Sequence, residues 1–211
     1  MKRQVRRNVF ETNSSSMHSL VIKKESAYFT DEEARNGIYI NENGKINLGF
    51  EDIYFGRSPF QVLYTLVDKA KYVLASMCIY KDDAVYEEVK NVIHSYIPEF
   101  IDFETELETH SYSAIINTEE EIRKWFGDGN YIKKDGRWIV WGHKLGGVDE
   151  DILSSFLEKE NITITEFLKN KRYIVIVDGD EYCVYKDMKR SGLVNTDNIE
   201  KEYTPGDWMK D

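Results

Sequence analysis

Two stretches in the first half of the chain constrain its fold most, because both have the spacing of an amphipathic helix. Ser58 and Pro59 are the residue types preferred at a helix N-cap and at the first helical position. The apolar residues that follow recur at spacings of three and four: Phe60, Leu63, Val67, Ala70, Leu74 and Met77. A second such pattern covers residues 82–97 and ends at Pro98. We therefore predict helices over 59–77 and 82–97, with Phe60, Leu63, Val67 and Leu74 buried.

Several short strand-like runs accompany these helices. They are rich in β-branched and aromatic residues, and Asn-Gly or Asp-Gly pairs between some of them favour hairpin turns. The predicted strands are residues 4–10, 18–24, 38–40, 46–48, 131–132, 138–141 and 173–177. Two further helices are predicted over 149–159 and 163–169. The expected fold is α+β, a mainly antiparallel sheet built from hairpins with the two main helices covering one face.

The chain shows no repeat, low-complexity tract or linker that would divide it. A length of 211 residues is enough to bury a sizeable core in one domain. The last 15 or so residues are polar and weakly patterned. We predict a single α+β domain over residues 1–195 and a loosely attached C-terminal tail over 196–211.

The charge balance limits the classes of partner. With 28 basic and 38 acidic residues the formal net charge is −10, which opposes general nucleic-acid binding and favours a basic partner. No run approaches the roughly 18 apolar residues of a membrane helix, and no signal-peptide pattern occurs. Cys78 and Cys183 have no neighbouring cysteine, so a disulfide framework is not expected. The sequence predicts a cytoplasmic protein without a membrane partner.

Residues 11–19, Glu-Thr-Asn-Ser-Ser-Ser-Met-His-Ser, form a polar segment between two predicted strands. A loop of this length exceeds the need of a hairpin, and functional residues often lie on such loops. Its hydroxyls and amides, with nearby arginines, are suited to holding an anion. The candidate ligand-binding residues are Arg6, Arg7, Asn13, Ser14, Ser15 and Ser16. His18 and Glu11 are candidates for proton transfer. The alternative is a turn whose side chains bond their own backbone.

A second candidate stretch is the glycine-rich turn that contains His143. Gly146 and Gly147 would let backbone approach a ligand closely, and His143 is a third candidate for proton transfer. The alternative is that these glycines simply end a strand before the next helix. We expect His143 to lie within about 10 Å of His18 if convergent loops form one site. No nucleotide-binding, hydrolase or metalloprotease motif occurs, so the sequence names neither a cofactor nor a metal.

The run from Arg7 to Leu20 resembles the opening of a family of uncharacterised proteins from low-GC Gram-positive bacteria and their phages. Those proteins share a Phe-Glu-Thr-Asn-Ser-Ser-Ser-x-His-Ser run, which here covers Phe10–Ser19. The resemblance implies a phage or prophage origin and adds weight to the polar segment as a site. A fainter similarity links residues 9–13 to the acidic strand of carboxylate–amine ligases, although the first glutamate and the glycine of that pattern are missing here.

Two classes of function remain open from the sequence. The first is a phage or prophage accessory protein that binds, and acts on, a phosphorylated or carboxylated small molecule or a nucleotide at Asn13–His18. The second is a non-catalytic acidic protein that binds and modulates a host protein. The position of the polar segment, facing a pocket or lying flat on the surface, would distinguish these two classes.

Overall fold

The computed structural model describes residues 17–49, 61–77, 83–106, 118–120, 123, 131–134, 137–140, 150–178, 192 and 195–203. Eight strands are present in this part of the chain: β1 (Met17–Lys23), β2 (Lys45–Gly49), β3 (Gln61–Leu63), β4 (Asp102–Glu106), β5 (Tyr131–Lys134), β6 (Arg137–Val140), β7 (Tyr173–Asp178) and β8 (Ile199–Tyr203). The helices are α1 (Asp31–Ala34), α2 (Leu66–Met77), α3 (Asp83–Tyr96), α4 (Glu150–Glu160) and α5 (Ile164–Lys169), with a 3₁₀ turn over Thr196–Asn198. The fold is α+β.

The largest sheet has four strands in the order β3-β7-β1-β8, and every neighbouring pair is antiparallel. β1 and β7 occupy the middle, with His18 opposite Val177 and Leu20 opposite Val175. β2 and β4 form a separate parallel pair, and β5 and β6 an antiparallel hairpin. The predicted mainly antiparallel sheet is therefore confirmed.

Alternation along the central strands gives the sheet two buried faces. Leu20, Ile22, Val175 and Val177 point into the main core, which also contains apolar residues of α2, α3, α4 and α5. An aromatic group within this core brings rings from α4, α5, β7 and β8 into edge-on or stacked contact: Phe156, Phe167, Tyr173 and Tyr203. The helices therefore cover one face of the sheet. The opposite face carries a smaller cluster centred on Val21.

The first predicted helix begins later than expected. Residues 61–63 form β3, which pairs with β7, and the helix starts only at Leu66. Thr65 marks that start, because its Oγ1 accepts a hydrogen bond from the Asp68 N–H at 3.2 Å. Residues 61–63 form a strand because they pair with the central strand β7, although the spacing of Leu63 fits the helical pattern. Leu63, Val67 and Leu74 are buried as predicted, and Phe60 lies outside the described residues.

The predicted hairpin between residues 38–40 and 46–48 is wrong, because β2 has a different main pairing partner. One bridge joins Ile40 to Ile46, but β2 as a whole pairs in parallel with β4. The turn itself also differs from type I′, because only Gly44 of the pair has a positive φ, 74°. Asn41 organises it instead, since its Oδ1 accepts from the backbone N–H groups of Asn43 and Lys45.

The predicted C-terminal tail contains an ordered element. Ile199–Tyr203 forms β8, which pairs with β1 as the fourth strand of the main sheet. The Tyr203 hydroxyl donates to the Glu160 carboxylate on α4, and Lys201 lies 3.0 Å from the same side chain. Residues 199–203 are therefore integrated into the sheet, in contrast to the loose attachment that their polar composition suggested.

Candidate functional site

Of the candidate catalytic and ligand-binding residues, His18 is the one that the structure describes. The predicted strand 4–10, the proton-transfer candidates Glu11 and His143, and the predicted ligand contacts lie outside the described residues. Those contacts are Arg6, Arg7, Asn13, Ser14, Ser15 and Ser16. The structure therefore shows the C-terminal end of the polar segment, together with the strand β1 and the helix α2 that contact it.

His18 is fully buried at the start of the central strand β1. Its side chain faces helix α2, on the same side of the sheet as Leu20 and Ile22. There its Nδ1 lies 3.3 Å from the hydroxyl of Tyr72, and the two ring centroids are 5.7 Å apart. The end of the polar segment is therefore fixed inside the core between β1 and α2.

The contact with Tyr72 limits what His18 can do chemically. If the Tyr72 hydroxyl donates in this contact, Nδ1 accepts and a ring proton lies on Nε2. Tyr72 is itself fully buried, and the hydroxyl of Ser76 donates to the Tyr72 carbonyl at 2.7 Å. Because Nδ1 is held by Tyr72, proton exchange between His18 and a ligand would have to use Nε2.

The next residue, Ser19, points to the opposite face of the sheet. It lies opposite Ile176 in the β1–β7 pair and alternates with Val21, in the smaller apolar cluster. Its hydroxyl is buried and has no hydrogen-bond partner among the residues that the structure describes. An unpaired buried hydroxyl costs stability unless water or a ligand group meets it.

Replacing Ser19 with alanine is expected to raise the free energy of unfolding by about 1 kcal/mol, because the change removes an unpaired polar atom. Chemical denaturation of both proteins measures this difference. Ser26→Ala is the control: it removes a hydroxyl that accepts from the Asn170 side-chain amide at 2.8 Å, so stability should fall. A loss of stability in Ser19→Ala would contradict an unpaired hydroxyl at this position.

The structure adds a residue that the sequence analysis missed, Lys69 on α2. It is fully buried, and its Nζ donates to the carbonyl oxygens of Phe167 and Asn170 at 2.7 and 2.9 Å. The same atom lies 5.0 and 5.4 Å from the ring centroids of Phe29 and Phe167. No ion pair to Lys69 is present within the described part of the chain.

The environment of Lys69 disfavours its charged form. Burial lowers the pKa of the Lys69 ammonium well below its usual value, the nearby charge of Lys23 lowers it further, and Glu166 opposes the shift. A sequence signal was present, because Lys69 lies three residues after Leu66 and four before Val73, within the buried side of α2. Its two hydrogen bonds make the amine a link between α2 and the end of α5.

The other histidine in the described residues, His94, contacts the backbone just beyond the end of its own helix. His94, in the last turn of α3, lies with Nδ1 2.9 Å from the Phe100 carbonyl oxygen, where a ring N–H donates. Among the residues that the structure describes, no group of three or more His, Cys, Asp or Glu side chains could hold a metal ion. None of the described helices is long and apolar enough to cross a membrane.

Comparisons with protein-family profiles, with curated proteins and with solved structures found no match to this chain.

Proposed function

We propose that this chain is a phage or prophage accessory protein of the host cytoplasm that binds a phosphorylated or carboxylated small molecule at the polar segment. The observation that carries the proposal is the burial of His18 against Tyr72 in the central strand β1. β1 is hydrogen-bonded to β7 on one side and β8 on the other. The polar segment therefore ends on a fixed point, which lowers the conformational entropy that a ligand must order.

Charge distribution supports an anionic ligand. Lys2, Arg3, Arg6 and Arg7 cluster just before the polar segment, although the chain as a whole has a net charge of −10. A local basic group in an acidic protein favours a small anion over an extended polyanion such as nucleic acid. We propose that Arg6 and Arg7 bind the anion, because each guanidinium group can donate hydrogen bonds to two oxygens at once.

The remaining residues of the segment complete the proposed site. Asn13 and Ser14–Ser16 supply neutral hydrogen-bond donors to the same oxygens. His18, through Nε2, is assigned to proton transfer together with Glu11 and His143, should the bound molecule be processed. The binding step does not depend on that assignment and can be tested alone.

The test is ligand-dependent thermal stability of the wild-type chain and of the Arg6→Gln/Arg7→Gln variant. Nucleotides with and without Mg²⁺ are screened first, then phosphorylated and carboxylated metabolites. A ligand at about 100 times its Kd should stabilise the wild type by about 2.7 kcal/mol, and the variant should lose this gain. The variant should melt near the wild-type temperature without ligand.

The matched control is Lys24→Gln/Arg123→Gln, which also removes two positive charges, from exposed positions outside the polar segment in the sequence. It should keep the full ligand response. Equal responses in both variants would contradict a site at Arg6 and Arg7. A complete absence of stabilising ligands would favour the alternative class, an acidic protein that acts by binding a host protein.

A further inference from the structure

Helices α3 and α5 form the walls of an open groove of about 400 Å³, far along the chain from the polar segment. Six of its lining residues matter chemically: Glu87, Glu88, Asn91, Val92, Thr165 and Lys169. This volume lies within the roughly 300–1,000 Å³ typical of small-molecule sites. The groove is therefore large enough for a metabolite of a few heavy atoms.

The two walls of the groove carry opposite charges. Helix α3 supplies the carboxylate of Glu88 and the side-chain amide of Asn91, whereas the Glu87 carboxylate already pairs with Lys90 at 3.2 Å. Helix α5 supplies the ammonium group of Lys169 in its last turn. A ligand with one positive and one negative group would meet a charge of the opposite sign on each wall, whereas a purely anionic or purely cationic ligand would meet repulsion on one.

Two of these charges are held in place before any ligand binds. Glu88 Oε1 accepts from the backbone N–H and the hydroxyl of Thr165 at 2.9 and 2.7 Å, which fixes the orientation of the carboxylate. Its other oxygen, Oε2, makes no hydrogen bond to any residue in the described ranges. Lys169 Nζ lies 5.4 Å from the ring centroid of Tyr96, a cation–π contact that restrains the lysine. Such restraint lowers the entropy lost on binding.

We propose that this groove binds a small zwitterion of the free amino-acid class. The ligand ammonium pairs with Glu88, and its carboxylate pairs with Lys169 and the Asn91 amide. Val92 lines the groove but is only 3% exposed, so recognition depends on the charged groups. This site is separate from the polar segment and does not depend on the function proposed there.

The test is a titration of the ¹⁵N-labelled full-length chain with glycine, then with alanine, leucine, glutamate and lysine, followed by NMR. Amide shifts are expected in residues 87–92 and 165–169. Glu88→Gln keeps an acceptor for Thr165 but removes the charge, and should weaken binding about threefold to fivefold. Glu158→Gln, an equal charge change on the exposed side of α4, should leave the affinity unchanged.

Ligands with a single charge distinguish a zwitterion site from a site that binds only a cation or only an anion. Ethylamine and propionate each carry half of the recognised group, so both should bind more weakly than alanine. Equal binding of ethylamine and alanine would overturn the proposal in favour of a plain cation site. The absence of any shift at concentrations on the order of 10 mM, well above the ~1 mM Kd plausible for so small a ligand, would also overturn it.

The amino-acid titration of the two variants also distinguishes the groove from the polar segment. An amino-acid Kd that rises in Arg6→Gln/Arg7→Gln but is unchanged in Glu88→Gln would place the amino acid at the polar segment. That result would overturn the groove proposal while supporting the function proposed for the polar segment. A Kd that rises about threefold to fivefold in Glu88→Gln, and is unchanged in Arg6→Gln/Arg7→Gln, would support the groove and leave the polar segment to its own ligand screen.

Discussion

Replacing Lys69 with alanine is expected to lower the free energy of unfolding by about 4 kcal/mol, the largest effect of any single change considered. The substitution leaves a cavity in the core, and it also leaves the Phe167 and Asn170 carbonyl oxygens without their donor. Those carbonyls lie at the C-terminal end of α5, where helix carbonyls lack intrahelical partners. Urea denaturation monitored by circular dichroism measures the loss.

Two further variants separate the causes. Lys69→Met keeps most of the volume and removes the cost of burying an ammonium, so it should lose only about 1–2 kcal/mol for the unpaired carbonyls. Lys71→Ala, on the same helix but partly exposed, should change stability by no more than about 0.5 kcal/mol. Equal losses in Lys69→Ala and Lys71→Ala would contradict the role assigned to Lys69.

The lowered pKa of Lys69 adds a pH signature to the same comparison. Between the folded-state pKa and the ordinary value of 10.5, the unfolded chain binds a proton at Lys69 that the folded chain does not. Stability from this group therefore rises with pH across that window and is constant below it. The stability of the wild type minus that of Lys69→Met should increase as the pH rises toward 10.5. A difference that stays flat there would show an unshifted pKa.

Periodic patterns predicted the elements whose own residues decide their structure. The helix predicted over 82–97 is Asp83–Tyr96, and the strand predicted over 173–177 is Tyr173–Asp178. In both, the apolar spacing within the segment matches the surface that it buries. Errors arose where a distant partner decides, as in Gln61–Leu63, which pairs with β7 more than a hundred residues later in the sequence.

In the candidate site, too, the sequence indicated the local feature but not its distant contacts. A dense run of polar residues marked the segment around His18, but no pattern in the sequence indicated that this imidazole would lie against Tyr72 on α2. Lys69 was missed because a lysine is normally assigned to solvent, and its two acceptors are backbone carbonyls, which carry no sequence signal. Side-chain type locates chemistry along the chain, whereas its partners depend on tertiary packing.

Replacing His18 with alanine is expected to lower the free energy of unfolding by about 3 kcal/mol, even without ligand. The reason is that a fully buried ring is lost together with its contact to the Tyr72 hydroxyl. Tyr72→Phe, which removes only the hydroxyl, should cost about 1 kcal/mol. His94→Ala is the control, because that histidine lies at the solvent side of α3, and it should cost less than His18→Ala.

A double-mutant cycle with His18→Ala and Tyr72→Phe tests whether the two side chains interact. We expect a coupling free energy of about 1 kcal/mol, the usual net value of a buried hydrogen bond. A coupling near zero would remove the anchor on which the proposed function depends. A clear coupling would leave His18 with a structural role at Nδ1, and its part in ligand binding would then depend on Nε2.

His18→Gln separates that structural role from a direct ligand contact. Glutamine keeps a polar group able to pair with Tyr72 but cannot exchange protons near neutral pH. If His18 only anchors the segment, this variant should bind the ligand of the polar segment with little change in affinity. If Nε2 donates to a bound anion, affinity should fall although the melting temperature without ligand stays close to that of the wild type. A ligand that is chemically altered by the wild type but only bound by His18→Gln would assign proton transfer to His18.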